Sequence, residues 1–349
     1  MIIDAVAHAY NQSRDNLRAV LSSVNGAYSY HVICNPPEHR LTEDEWSHDW
    51  QPDEFIETML LESTTDIVCM HSVPLFEYAI DGLVTNAKGA YLKKHYPDRI
   101  LWYAALDLGE PRERVLELAD EVIRQGADGI KLYPTGLNHA TGQSSDWFMD
   151  DTEIAFPVLD YLQARGVRHI AIHKLLEYDA LTLTKRRYYG INDIAGAAKR
   201  YPDLIFHLVH AGWLLVENTI LLMQECPNVT AVLEGPMLWP VIDPQRFDTF
   251  LHMFMTTVGP DRLMYSSAAT NPHPRWLIEA FERYQPPAGT DAAFDLTQAD
   301  KDAIMGGNFA RIHGIDVIAR KAAIADDRFS RALAAGGLRR PWTAIRGAA

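Results

Sequence analysis

The sequence is poor in cysteine and has no concentrated positive charge. Among 349 residues there are three cysteines, Cys34, Cys69 and Cys226. They are odd in number and far apart, with no C-x-x-C pair, which excludes a disulfide framework and a thiolate zinc site. Lysine and arginine number 32 against 46 acidic residues, a net charge of −14. No basic cluster breaks that excess, so nucleic acid and an anionic membrane surface are excluded as main partners. No apolar run approaches the ~18 residues of a membrane span, and the amino terminus lacks the basic, apolar and small-residue order of a signal peptide. Internal repeats, low-complexity stretches and interdomain linkers are also missing. The expectation is a cytoplasmic protein whose 48% hydrophobic residues can bury a sizeable core.

Against these absences stands one regular pattern. Apolar runs of strand length alternate with amphipathic segments, as parallel strands joined by crossover helices require. Eight such runs occur: MIIDAVAH at the start, then residues 66–72, 100–107, 129–134, 169–174, 205–212, 229–235 and 263–270. In the helical segment PRERVLELADEVIRQG, Val115, Leu118, Ala119, Val122 and Ile123 recur at helical spacing, and Gly126 ends the helix. Eight such units predict an α/β fold, a (β/α)8 TIM barrel. Residues 1–316 read as one barrel domain with a lid-like insertion at about 9–53, and residues 317–349 as a helical tail.

In such a barrel the chemistry sits at the carboxyl ends of the strands. Seven of the eight runs carry a polar residue there: His8, His71, Asp107, Lys131, His173, His210 and Glu234. A single histidine at a strand end is ordinarily a satisfied core or loop residue. Four on separate strands, with carboxylates and without thiolates, suit a divalent metal such as zinc, iron or manganese. Aromatic residues follow several strand ends, namely Tyr10, Phe76, Tyr78, Tyr133, Trp147, Phe148, Trp213 and Trp239. Together they predict a largely apolar pocket for a hydrophobic or aromatic acyl group. Lys185, Arg186 and Arg187 form one basic loop, either solvated or holding an anionic substrate group.

Five motifs in order resemble the amidohydrolase superfamily, and more closely its amidohydrolase-related branch of barrel hydrolases, hydratases and aminocarboxymuconate-semialdehyde-type decarboxylases. They are MIIDAVAH, GADGIKLYP, FPVLDYLQARGVRHIAIH, YPDLIFHLVHAG and IMGGNFARIHG. The resemblance implies a metal held by a His-x-His pair on the first strand and an aspartate ending the eighth. This chain has Val6 and Ala268 at those two places. One reading is a barrel that has lost its metal. The other is relocation, with His71 and Glu234 on the neighbouring strands supplying replacement ligands, since adjacent strands lie ~4.8 Å apart. In binuclear relatives the strand-four lysine is carboxylated and bridges two ions, whereas in this branch it is often unmodified, so Lys131 leaves one or two ions open. With the bridge, His173 and His210 would hold one ion and His8, His71 and Glu234 the other.

The functional expectation is a metal-dependent hydrolase of an ester, thioester, amide or lactone, in which hydroxide on the metal attacks the carbonyl. Glu234, His71 and Lys131 are the expected catalytic residues. Alternatives are a nonoxidative decarboxylase of an aromatic or muconate-type acid and a metal-free barrel that binds such an acid. Acidic barrels of this size often pair, which makes a homodimer the candidate assembly.

Overall fold

The computed structural model describes residues 1–18, 25–174, 188, 190–211, 213, 215–288 and 293–347. Eight parallel strands follow one another in chain order: β1 (Ile3–Ala7), β2 (Ile67–His71), β3 (Ile100–Ala105), β4 (Gly129–Leu132), β5 (His169–His173), β6 (Ile205–Val209), β7 (Val229–Val232) and β8 (Leu263–Met264). The last strand meets the first. Ala5 N–H donates to Tyr265 O at 3.0 Å, and beyond it Ala268 N–H donates to Val6 O at 3.0 Å. These bonds close the sheet, and the result is the (β/α)8 barrel expected from the sequence. Its outer layer is α1 (Pro52–Leu61), α2 (Asn86–His95), α3 (Arg112–Arg124), α4 (Ala155–Ala164), α5 (Asn192–Arg200), α6 (Val216–Glu225), α7 (Pro244–Thr257) and α8 (Pro274–Arg283).

Strand periodicity divides the apolar residues into two clusters. Ala5, Cys69, Leu101, Tyr103, Ala171, Val209, Val232 and Met264 fill the barrel interior. Their sequence neighbours Val68, Trp102, Ile170 and Leu208 instead belong to the layer between strands and helices. On α3 it is Val115, Ala119 and Val122 that are buried there, one face of a 3.6-residue period.

One irregularity positions the site. The β1 to β2 register runs Asp4 to Val68 and then Ala7 to Met70, so three steps on β1 match two on β2. The extra residue is a β-bulge. Ala5 and Val6 share the space opposite Cys69, and His8 comes level with the end of β2. Val6 is fully buried in the apolar barrel interior. Where the family resemblance puts a ligand, this chain has hydrophobic packing.

At the amino-terminal end of the strands, the motif IMGGNFARIHG forms the floor. A Cβ on Gly306 would stand 2.5 Å from Met1 O, so only glycine allows this close approach to the start of β1. Asn308 Nδ2 donates to Pro260 O at 2.7 Å and Leu263 O at 2.9 Å, fixing the floor to β8. The insertion after β1 contains a helix, Asn25–Cys34, and is pinned near β8 by Trp46 Nε1 donating to Asn271 Oδ1 at 3.2 Å. The tail helices Val317–Ile324, Arg328–Gly336 and Thr343–Arg346 pack back on the body. Trp342, fully buried, donates through Nε1 to His39 O at 2.6 Å and through its backbone to Glu62 Oε2 at 2.6 Å. No helix among the described residues is long and apolar enough to cross a membrane.

Candidate active site

Two imidazoles at the mouth are held in the same way. His8 Nδ1 lies 2.9 Å from His71 O, and His210 Nδ1 lies 3.3 Å from Glu234 O. A carbonyl can only accept, so each ring donates through Nδ1 and leaves an Nε2 lone pair. The lone pair of His8 lies 3.9 Å from Glu234 Oε1. That of His210 lies 3.4 Å from His173 Nδ1. A ring N–H tied to a carbonyl is the usual support of a metal-ligating histidine, because it fixes tautomer and direction. His210 is held with a left-handed φ of 72°, a conformation costing ~1–3 kcal/mol that persists where the surroundings impose it. The ring of His173 stacks on Tyr133 with centroids 4.2 Å apart.

Between these pairs lie two buried ionisable groups. Lys131 is completely buried, and its Nζ has no hydrogen-bond partner among the described residues; the same holds for Glu234 Oε2. Burial lowers Lys131 to about 8, opposed by the nearby Glu234 carboxylate. Burial raises Glu234 to about 7, opposed by Lys131. Burial also pushes His8 down to about 3 and holds His173 and His210 well below the ordinary imidazole value. All three rings are therefore neutral and able to act as ligands.

The amidohydrolase family profile matches residues 79–315, well over half of the chain. The chain belongs to the amidohydrolase family. A search of curated proteins returned no match. Among solved structures, this amidohydrolase is similar to an uncharacterised TIM-barrel protein from Bordetella bronchiseptica, with TM-score 0.65 at 15% identity over 92% of this chain and 99% of that one. It is similar to a probable 2-pyrone-4,6-dicarboxylic acid hydrolase from Acinetobacter baumannii with citric acid bound, TM-score 0.53 at 12% identity over 90% and 99%. It is also similar to a dihydroxybenzoic acid decarboxylase from Polaromonas with bound manganese and the inhibitor 2-nitroresorcinol, TM-score 0.54 at 13% identity over 91% and 99%.

The donor set of the amidohydrolase fits a divalent cation. His8 and His210 present supported Nε2 lone pairs, and Glu234 keeps one buried oxygen unbonded, which costs free energy unless something takes it up. The ammonium form of Lys131 opposes a cation, and its lowered value is what reduces that opposition. His71 stands apart. Its ring stacks on Tyr103 with centroids 4.6 Å apart, its nitrogens have no partner among the described residues, and its ring centre is 6.2 Å from that of His8. Its backbone oxygen, rather than its ring, is what touches His8.

Asp107 turns away from the histidines. Its carboxylate accepts from Gly109 N at 2.9 Å and Leu137 N at 3.1 Å. Burial raises it to about 6, and it lines a separate cavity of about 550 Å³ with Glu110, Arg114 and His139. Trp147, Tyr78 and Trp239 are buried in the core layer. Tyr10 and Trp213 are half-buried beside the site. Tyr10 has its ring 4.8 Å from that of His8, and Trp213 packs where a Cβ on Gly235 would stand at 2.2 Å. Lys185, Arg186 and Arg187 lie outside the described residues.

Asp4 has a role that the spacing of strand-end residues could not indicate. Its carboxylate accepts from Ser267 Oγ at 2.5 Å and from Ser267 N at 3.0 Å. It thereby anchors the segment that carries Ala268, which itself has a left-handed φ of 57°. The available signal was an acid in the middle of an apolar strand, which must find a partner when buried.

Proposed function

We propose that this amidohydrolase is a metal-dependent hydrolase that cleaves an ester, thioester, amide or lactone bond of a hydrophobic or aromatic carboxylic-acid derivative. The observation that carries the proposal is Glu234, a buried carboxyl that titrates near neutrality and faces the Nε2 lone pair of His8. His8, His173, His210 and Glu234 would hold a divalent cation, which would supply Lewis acidity and lower the pKa of water there. Glu234 accepts a proton from the attacking water and returns it to the leaving atom, a transfer favoured when the group's pKa lies near the working pH. His8 and His210 stay oriented through their Nδ1–H bonds, and the His173 Nδ1–H that faces the His210 lone pair is what a cation would displace. Lys131 lies beside Glu234 as a second proton-exchanging group. Tyr10 and Trp213 offer half-exposed aromatic surface for the acyl group.

A second reading, nonoxidative decarboxylation of an aromatic acid, is favoured by the fold likeness to the dihydroxybenzoic acid decarboxylase. Against it stands Ala268, which replaces the strand-eight carboxylate expected from the family resemblance. The test incubates the full chain, supplied with zinc or manganese, with aryl esters, thioesters, amides, lactones and hydroxybenzoates in ¹⁸O-labelled water. Hydrolysis predicts ¹⁸O in the product acid. Carbon dioxide release without labelled acid supports the second reading. Neither product from a metal-loaded protein that binds aromatic acids contradicts both.

A further inference from the structure

A second histidine cluster lies at the opposite end of the barrel. His169 opens β5, His207 sits in the middle of β6, and His313 follows the floor helix Asn308–Ile312. One nitrogen of each lies within 4.8 Å of the others. Sequence spacing gave no hint of this group, because its members come from two strands and the floor.

We propose that His169, His207 and His313 form a second metal site, separate from the catalytic mouth, for a borderline divalent cation such as zinc, nickel or cobalt. Its supports are already in place. His207 Nδ1 is 2.8 Å from Thr230 Oγ1, and His313 Nδ1 is 2.8 Å from Phe309 O. The carbonyl forces His313 to donate through Nδ1, leaving Nε2 as its lone pair. Tyr103 OH donates to His313 Nε2 at 2.6 Å, and His169 Nδ1 lies 3.1 Å from His207 Nε2. Protons thus hold the lone pairs that a cation would take.

The ring planes decide what must move. The three rings lie nearly parallel, with planes 11° apart for His169 and His313, 19° for His169 and His207 and 11° for His207 and His313, and His313 also stacks on Phe309, so their in-plane lone pairs do not yet aim at one point. His169 and His313 are half-buried, at the start of a strand and after a helix, and rotation of both rings about χ2 would turn their nitrogens toward that of His207. The same partial exposure of His169 and His313 opens a route from solvent. Three imidazoles without carboxylate or thiolate disfavour magnesium and calcium and suit zinc, nickel or cobalt. Three protein ligands leave a position for water. Because His313 belongs to the floor and the other two belong to β5 and β6, a bound ion would tie the floor segment to those strands.

The test titrates zinc alone into the chelator-treated full chain, reading stoichiometry by calorimetry and metal analysis, with cobalt absorption as a second probe. In a His173→Ala/His210→Ala background, which disables the mouth, one zinc per chain should remain. Adding His169→Gln or His313→Gln should remove it. In the otherwise unmodified enzyme, His169→Gln should lower zinc stoichiometry by one while turnover is unchanged. His169→Gln replaces a half-buried side chain, so the test does not depend on the more buried His313 variant folding. Equal zinc stoichiometry with and without His169→Gln and His313→Gln, or no remaining zinc in the mouth-disabled background, would overturn the proposal and leave the three rings as a hydrogen-bonded stack.

Discussion

At the residue scale, the site depends on which nitrogen of each histidine is engaged. His8 and His210 use Nδ1 on backbone carbonyls, so both can offer Nε2. The positions of His8, His173, His210 and Glu234 were legible in the sequence because strand side chains alternate, and a polar residue ending an apolar run stands out. Two things were not legible. His71 stacks on Tyr103, since ring packing in the interior outweighs strand-end position. Val6 packs in the barrel core, since its level is set by a bulge. Glu234→Gln keeps the shape but removes the negative charge and the proton transfer. It should cut turnover by ~10²–10⁴-fold and lower metal occupancy in the same sample. Unchanged metal content and rate would remove Glu234 from the mechanism. Lys131 has a lowered pKa and a nitrogen with no hydrogen-bond partner among the described residues, so its neutral amine can attack carbon dioxide and lose a proton to form a carbamate. If it does, Lys131→Ala should lose activity that short carboxylic acids partly restore. Failure of every short acid to restore activity would argue for a plain amine.

At the scale of elements, the seam between β8 and β1 is the least regular part of the barrel. The eight strands and helix α3 were legible because periods of 2 and 3.6 are local properties. The bulge was not, because register exists only between two strands. Asp4 secures the seam through Ser267. Burial raises its carboxyl to about 7, outweighing the bonds from Ser267 and Val6 that lower it. The sign follows from linkage: a carboxyl raised on folding contributes stability that is complete below its ordinary value and is lost as pH rises through about 7. Thermal unfolding temperature should therefore fall as pH rises from about 4 to about 7 in the parent and level off above that, by roughly 2–4 °C for each kcal/mol lost. Asp4→Asn should flatten that fall, and equal pH dependence in both proteins would show that Asp4 titrates elsewhere.

At the scale of the whole molecule, the tail and the insertion after β1 stabilise each other. Trp342 packs against Trp50 and His273, with ring centroids 5.8 Å and 4.6 Å away. Arg346 reaches Glu45 in the insertion at 2.8 Å. The tail was legible as helix from its alanine content. Its docking was not, because the partners lie about 300 residues away in the chain. Trp342→Ala should cost ~3–5 kcal/mol and open the insertion to limited proteolysis. A protein equally stable and equally resistant would show that the tail is dispensable.

The same scale holds the central claim, that four strand ends converge to hold a catalytic metal. Metal content per chain, measured on protein purified without chelator, tests it most directly when the parent is compared with folded His173→Ala/His210→Ala. The double variant should contain at least one equivalent less and turn over no substrate. Identical metal content in the two proteins would place the metal away from His173 and His210 and overturn that convergence.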